Sequence, residues 1–242
     1  MKEEGWFGRL RTKIANAREE KGAAHWPDYY RHYRRGYPSL PDPAAPLHTL
    51  PVVVLDAETT GLHVKRDRIL SLGALRVTGN SISLADKFEA YLPTPEGFGK
   101  KEAVSIHGII PNSSRYPHTD EPTLLENFLE YLGGQPIVGH HIGFDVEMLN
   151  RALLRAGAGP LLNPVVDTAD LAKRLRPAGY WTPQQDYSLD SLAKRYHIPL
   201  SDRHTALGDC YITAVLWLKL LRRLAVKLDR DLLVGDVLGN GG

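Results

Sequence analysis

The stretch Pro51-Val-Val-Val-Leu-Asp-Ala-Glu-Thr-Thr-Gly61 decides how this chain is read. Its unbroken apolar, β-branched run is that of a strand covered on both faces, because a strand with one wet face alternates apolar and polar residues. Side chains alternate along a strand, so Asp56 and Glu58 leave it on the same side, at its end, where Thr59, Thr60 and Gly61 break the pattern. Two neighbouring carboxylates repel each other unless a cation joins them, and hard divalent ions prefer oxygen ligands. An isolated Asp-x-Glu is also what a solvated strand end looks like, so the rest of the chain has to choose.

The composition sets wide bounds. With 242 residues, 43% hydrophobic and 24% charged, the chain is long enough for a full core, as one large domain or a domain with an extension. A formal net charge of +2 announces no polyanionic partner, so local clusters matter more. The single cysteine, Cys210, excludes an intramolecular disulfide and a cysteine metal cage, which points to a reducing cytoplasm. The N-terminus lacks an apolar signal core, and the apolar run Ile212 to Leu221 is too short to span a bilayer and contains Lys219. A soluble cytoplasmic protein with no membrane partner is expected.

Residues 1–46 differ in composition from the remainder of the chain. Trp6, Leu10, Ile14 and Ala17 recur at helical spacing among Arg9, Arg11, Lys13 and Arg18, and Trp26 to Tyr37 interleaves aromatics with cations. Interleaving of that kind either stacks and neutralises single-stranded nucleic acid or docks the extension on the main domain. Pro38, Pro41, Pro43 and Pro46 mark a stiff linker. A main domain over 47–227 and a loose, glycine-rich tail over 228–242 complete the division. Within the domain, Ile69 to Val77 and Ile82 to Leu92 read as strands about the turn at 78–81, antiparallel to the first. Helices are expected over Pro122 to Leu132, Phe144 to Ala156, Leu171 to Leu175, Leu189 to Tyr196 and Ala206 to Lys227, with short strands at Pro136 to His140 and Pro164 to Asp167. A meander followed by alternating strands and helices is a mixed α/β sheet with its first strand central.

Asp145 lies in Gly139-His-His-Ile-Gly-Phe-Asp145, at a junction of strand and helix, where capping alone would account for a carboxylate. His204 and Asp209 are five residues apart, about 140° around a regular helix. They converge only if His204 lies on the loop before the helix that carries Asp209. Four carboxylates and one histidine at strand and helix ends are the parts needed for two-metal phosphodiester hydrolysis, with histidine suited to deprotonate water near neutral pH.

In order and spacing, Asp56-x-Glu58-Thr-Thr-Gly, Gly139-His-x-x-x-Phe-Asp145 and His204-x-x-x-x-Asp209 resemble the DEDDh exonucleases, whose type is the proofreading epsilon subunit of bacterial DNA polymerase III. The resemblance runs over roughly residues 48–225 and includes Ile69-Leu-Ser-Leu-Gly and Ser105-Ile-His-Gly-Ile. It implies a ribonuclease H-like fold and release of nucleoside 5′-monophosphates from a 3′ end. By position, Asp56, Glu58, Asp145 and Asp209 would hold two Mg2+ or Mn2+ ions and His204 would be the general base. Thr59 and Thr60 would meet the 3′-terminal nucleotide, partly through backbone, Leu62 would wedge against its base, and His107 would lie near the scissile end; core packing and a structural loop role are the respective alternatives for Leu62 and His107. His141 stands where many relatives have asparagine, and Cys210 where alanine is common. Asp167 and Asp170 have the form of a helix start rather than of ligands.

The expected activity is therefore metal-dependent 3′-5′ exonuclease action on DNA 3′ ends, chiefly single-stranded, in repair or end processing, with a DNA polymerase or repair protein as a further partner. An RNA-trimming nuclease on the same fold and a non-catalytic nucleic-acid or polymerase-binding module are the alternatives.

Overall fold

A computed structural model describes residues 25–37, 40–95, 117–176 and 184–238. Five strands form one mixed sheet in the order β3-β2-β1-β4-β5: β1 Val52–Thr59, β2 Ile69–Thr78, β3 Ser81–Tyr91, β4 Ile137–Gly139 and β5 Val165–Asp167. β1 pairs antiparallel with β2 and parallel with β4, which pairs parallel with β5. The first strand is central, as the meander and the alternation require.

The apolar run at the start of β1 is explained by two cores. Val52 and Val54 pack with Leu75, Val77, Val138, Trp217 and Leu220, while Val53 and Leu55 pack with Leu72, Ile137, Phe128, Met148 and Leu149 on the other side. The first core lies under the long helix α6, Ala206–Leu228, with α4, Thr168–Arg174, and α5, Leu189–Arg195. The second lies under α1, Asp28–Gly36, α2, Glu121–Leu132, and α3, Gly143–Arg155. After β1, the expected strands and helices form within one residue of their expected ends, except α4, which starts earlier than Leu171. Asp167 accepts from the Ala169 amide at 2.8 Å and so caps α4 at Thr168.

Two segments differ from a reading as appendages. The aromatic segment before the linker is α1, whose Tyr30 and Tyr33 are buried in the second core. Tyr30 donates to Pro160 O at 2.7 Å; Tyr33 donates to Asn163 Oδ1 and accepts from the Leu162 amide at 2.8 Å. Asn163 in turn donates to Gly133 O and Gln135 O, so α1 is anchored where β4 and β5 begin, at the end of the sheet opposite Asp56 and Glu58. These aromatics dock the segment on the domain.

The expected looseness after residue 228 is corrected over residues 230–238. Val234 is 1% exposed, and its amide donates to Ala45 O at 2.9 Å, as that of Gly235 does to Pro43 O and that of Leu47 to Leu232 O. Leu232, Val234 and Val237 enter the first core, α7 spans Gly235–Leu238, and Arg230 pairs with Asp236 at 2.8 Å. Apolar side chains every two or three residues outweigh the glycines, and the proline-rich segment supplies the backbone partners. The basic helix expected around Trp6 to Ala17 lies outside the described residues.

Candidate active site

Glycines bring the site together. Asp56 faces Gly73 across the β1/β2 ladder, and a Cβ on Gly73 would lie 2.6 Å from Ala206 C and 2.7 Å from Leu207 N. Only a bare backbone there lets the first turn of α6 rest on β2. That turn carries Asp209, and Cys210 beside it donates from Sγ to Gly73 O at 3.1 Å. Cys210 is thus a packing residue. At the end of β1, Thr60 Oγ1 donates to Asp67 Oδ1 at 3.0 Å and accepts from the Arg68 amide, while the His63 amide donates to Asp67 Oδ2 at 2.7 Å. A Cβ on Gly61 would lie 2.7 Å from Asp67 Oδ2, which accounts for the Thr-Thr-Gly turn.

Asp56, Glu58, Asp145, Asp209, His204 and Leu62 all line one open cavity of about 330 Å3, joined by His140, His141 and Arg203. Each of Asp56, Glu58 and Asp209 has a carboxylate oxygen within 4.8 Å of the others'. Asp145, in the first turn of α3, lines the same cavity and accepts from the Ala57 amide at 3.1 Å. His204 is exposed on the loop before α6, with φ +68°, as convergence with Asp209 demands. Leu62 is 84% exposed, so it projects from the rim rather than packing in the core.

Thr59 and Thr60 are buried, and their hydroxyls serve the turn itself: Thr59 Oγ1 donates to Gly61 O at 2.9 Å, and Thr60 is committed to Asp67. With both hydroxyls engaged in the turn, the expected contact with a 3′-terminal nucleotide falls to the backbone of these two residues. His107 lies outside the described residues.

The trio is crowded with negative charge. Burial, then repulsion from Asp145, Asp209 and Glu58, raises Asp56 well above the usual carboxylate range. Glu58 is pushed up to about 7 by burial and by Asp209, with Arg203 opposing. Burial takes Asp145 up to about 8 against the pull of backbone amides from Asp145 and Ala57. Asp209 is raised by burial despite Arg203, and its Oδ1 is buried without a hydrogen-bond partner. An all-oxygen donor set with an orphaned buried carboxylate oxygen fits a hard divalent cation.

His141 has φ +52° and its amide donates to Asp167 Oδ1 at 3.2 Å. That left-handed backbone is one that asparagine and histidine both tolerate better than most residues, so the departure at His141 leaves the turn intact. Sequence reasoning gave no role to Arg203, nor to His140 and Gly73, although both of the latter fall within the motifs that carry the resemblance. Arg203 adjoins His204 in the chain, the one local signal for it. His140 Nδ1 lies 2.9 Å from Thr168 Oγ1, and burial, then His141, takes its imidazole down to about 4.

Residues 53–216 match the family model RNase_T, described as exonuclease. The chain belongs to this exonuclease family. Among its relatives is the PolC-type DNA polymerase III of Bacillus cereus, 31% identical over 176 residues, which are 72% of this chain and 12% of the polymerase. The PolC-type enzyme of Oceanobacillus iheyensis is 32% identical over 178 residues, again 72% of this chain and 12% of the polymerase. The chain thus spans about an eighth of the length of these relatives. In fold it is similar to E. coli exonuclease I: the zinc-bound complex with single-stranded DNA superposes with a TM-score of 0.65 at 23% identity, covering 75% of this chain and 42% of that one. The complex with a dT13 oligonucleotide gives 0.64 at 24%, covering 75% and 43%. The expected mixed sheet of the ribonuclease H-like exonucleases is the one found. Among the described residues, no helix is long and apolar enough to cross a membrane.

Proposed function

We propose that this exonuclease domain hydrolyses single-stranded DNA from the 3′ end, releasing nucleoside 5′-monophosphates, with two Mg2+ or Mn2+ ions. The carrying observation is the convergence of Asp56, Glu58 and Asp209 within 4.8 Å, with Asp145 and His204 lining the same cavity. Asp56, Glu58, Asp145 and Asp209 would hold the ions. When bound, divalent cations supply charge to neutralise the phosphate and lower the pKa of a coordinated water. His204, on its exposed loop, takes the proton from the attacking water, whose oxygen bonds to phosphorus. The P–O3′ bond of the penultimate nucleotide breaks, and its oxygen leaves as a hydroxyl after taking up a proton. Leu62 at the rim stacks against the terminal base and holds it over the carboxylates.

DNA is favoured over RNA by the company the chain keeps, a DNA polymerase and an enzyme crystallised with DNA strands. The test is a time course on 3′-labelled and 5′-labelled DNA and RNA with Mg2+, Mn2+ or chelator, beside Asp56→Ala. Metal-dependent loss of the 3′ label, a ladder shrinking from that end, faster DNA than RNA digestion and a folded, nearly inactive Asp56→Ala variant are expected. Full activity of that variant, or digestion in chelator, sinks the assignment.

A further inference from the structure

Arg203 is the one arginine or lysine among the described residues that line the cavity. Its Nη1 donates to Asp209 Oδ2 and lies 3.3 Å from His204 Nδ1, while its Nε donates to Asp190 Oδ1 at 2.7 Å. The two carboxylate contacts differ in setting. The Asp209 side chain is 6% exposed and that of Asp190, in the first turn of α5, is 54% exposed. One end of the guanidinium thus touches the carboxylate trio and the other is moored at the surface.

We propose that Arg203 is a resident counter-ion, which holds Asp209 while the carboxylates are free of metal and swings to Asp190 alone when a divalent cation is bound. The inference rests on the metal-binding reading of Asp56, Glu58 and Asp209. A guanidinium and a divalent ion are like charges, so both cannot sit against Asp209 without strong repulsion. The five donors of a guanidinium lie in one fixed planar fork, so the group turns as a whole: the exposed Asp190 carboxylate follows Nε while Nη1 leaves Asp209 and the cation. Because Nη1 also lies beside the His204 ring, the same movement frees that ring. Metal loading and release of the base are then one event, and Arg203 is a positioning residue rather than a catalytic one.

Two substitutions give opposite signs. Arg203→Gln removes the competing cation, so Mn2+ binds on the order of tenfold more tightly, the range in which groups around a metal's ligands act. Asp190→Asn removes the charged surface mooring and leaves the guanidinium to Asp209, so Mn2+ binds on the order of tenfold more weakly. The experiment titrates the full chain with Mn2+ in the absence of nucleic acid and reads free aquo-Mn2+ by electron paramagnetic resonance, with circular dichroism to show that each variant is folded. Asp190 is exposed, so its variant informs even if Arg203→Gln is unstable. Opposite shifts support the proposal. Shifts of the same sign, or an unchanged Arg203→Gln affinity, overturn it while the metal reading stands. A wild-type chain that binds no Mn2+ overturns the metal reading and this proposal with it.

Discussion

Replacing Gly73 by alanine perturbs the site through the backbone alone. The added methyl would lie 2.6 Å from Ala206 C, 2.7 Å from Leu207 N and 2.8 Å from Ala206 O. Carbon atoms rest about 3.5–4.0 Å apart, so something must retreat by roughly 1 Å. β2 is held on both edges, by β1 and by β3, whereas the start of α6 follows an exposed loop. The helix start therefore moves, and with it Asp209 and the His204 that precedes it. Overpacking of this kind costs about 1–3 kcal/mol. For a chain of this size that lowers Tm by about 2–4 °C per kcal/mol, leaving a folded protein to assay. A displacement of about 1 Å between reacting groups costs on the order of 100-fold in rate. The assay is single-turnover release of a 3′ label from single-stranded DNA at saturating Mg2+, with Tm measured alongside. A Gly73→Ala protein that is destabilised as expected yet turns over within about threefold of wild type would refute the argument, because the chemistry would then not depend on where the α6 start lies.

The remaining predictions concern charge and docking. Burial pushes Glu58 up to about 7 and Asp145 up to about 8 in the folded chain, above the ordinary 4.5 and 3.8, so folding favours their protonated forms. Their contribution to stability is fully present below about pH 4 and is lost as pH rises through 7 to 8, by up to about 3 kcal/mol for Glu58 taken alone. Thermal melts in chelator should therefore show Tm falling from pH 5 to pH 8, with Mg2+ cancelling the fall; a flat profile in chelator removes the crowding argument. Tyr33→Phe removes the donor to Asn163 and the acceptor of the Leu162 amide, costing about 1–3 kcal/mol in a urea melt. Because α1 sits at the far end of the sheet, single-strand affinity should stay unchanged in a salt titration, and a loss of affinity would restore the nucleic-acid arm.

What could be read in the sequence was what has a short period or a local junction. Asp56 and Glu58 share a face because a strand alternates, Asp145 begins a helix after a strand, and His204 must sit on a loop if it is to meet Asp209. Each inference uses residues a few positions apart, and the structure places all five on one cavity. Asp190 and Arg203, by contrast, are 13 positions apart with a helix and a loop between them, and no periodicity marks them as partners. Gly73 reads as an interruption in a strand, and its reason, the backbone of Ala206, arrives only when the last long helix closes over the sheet. The aromatic segment was ambiguous for a chemical reason: tyrosines beside arginines serve a base stack and a docking seam equally well. Asn163, 130 positions from Tyr33, is what separates the two uses. In the C-terminal segment, glycines give the pattern of a loose tail, while the burial of Leu232, Val234 and Val237 depends on a proline-rich stretch nearly 190 residues earlier. Catalytic groups stand out because chemistry needs particular side chains at particular ends of strands and helices. The contacts that set their spacing are ordinary residues whose role exists only across the fold, and Gly73 and Arg203 are where this enzyme's site is most open to change without touching a carboxylate.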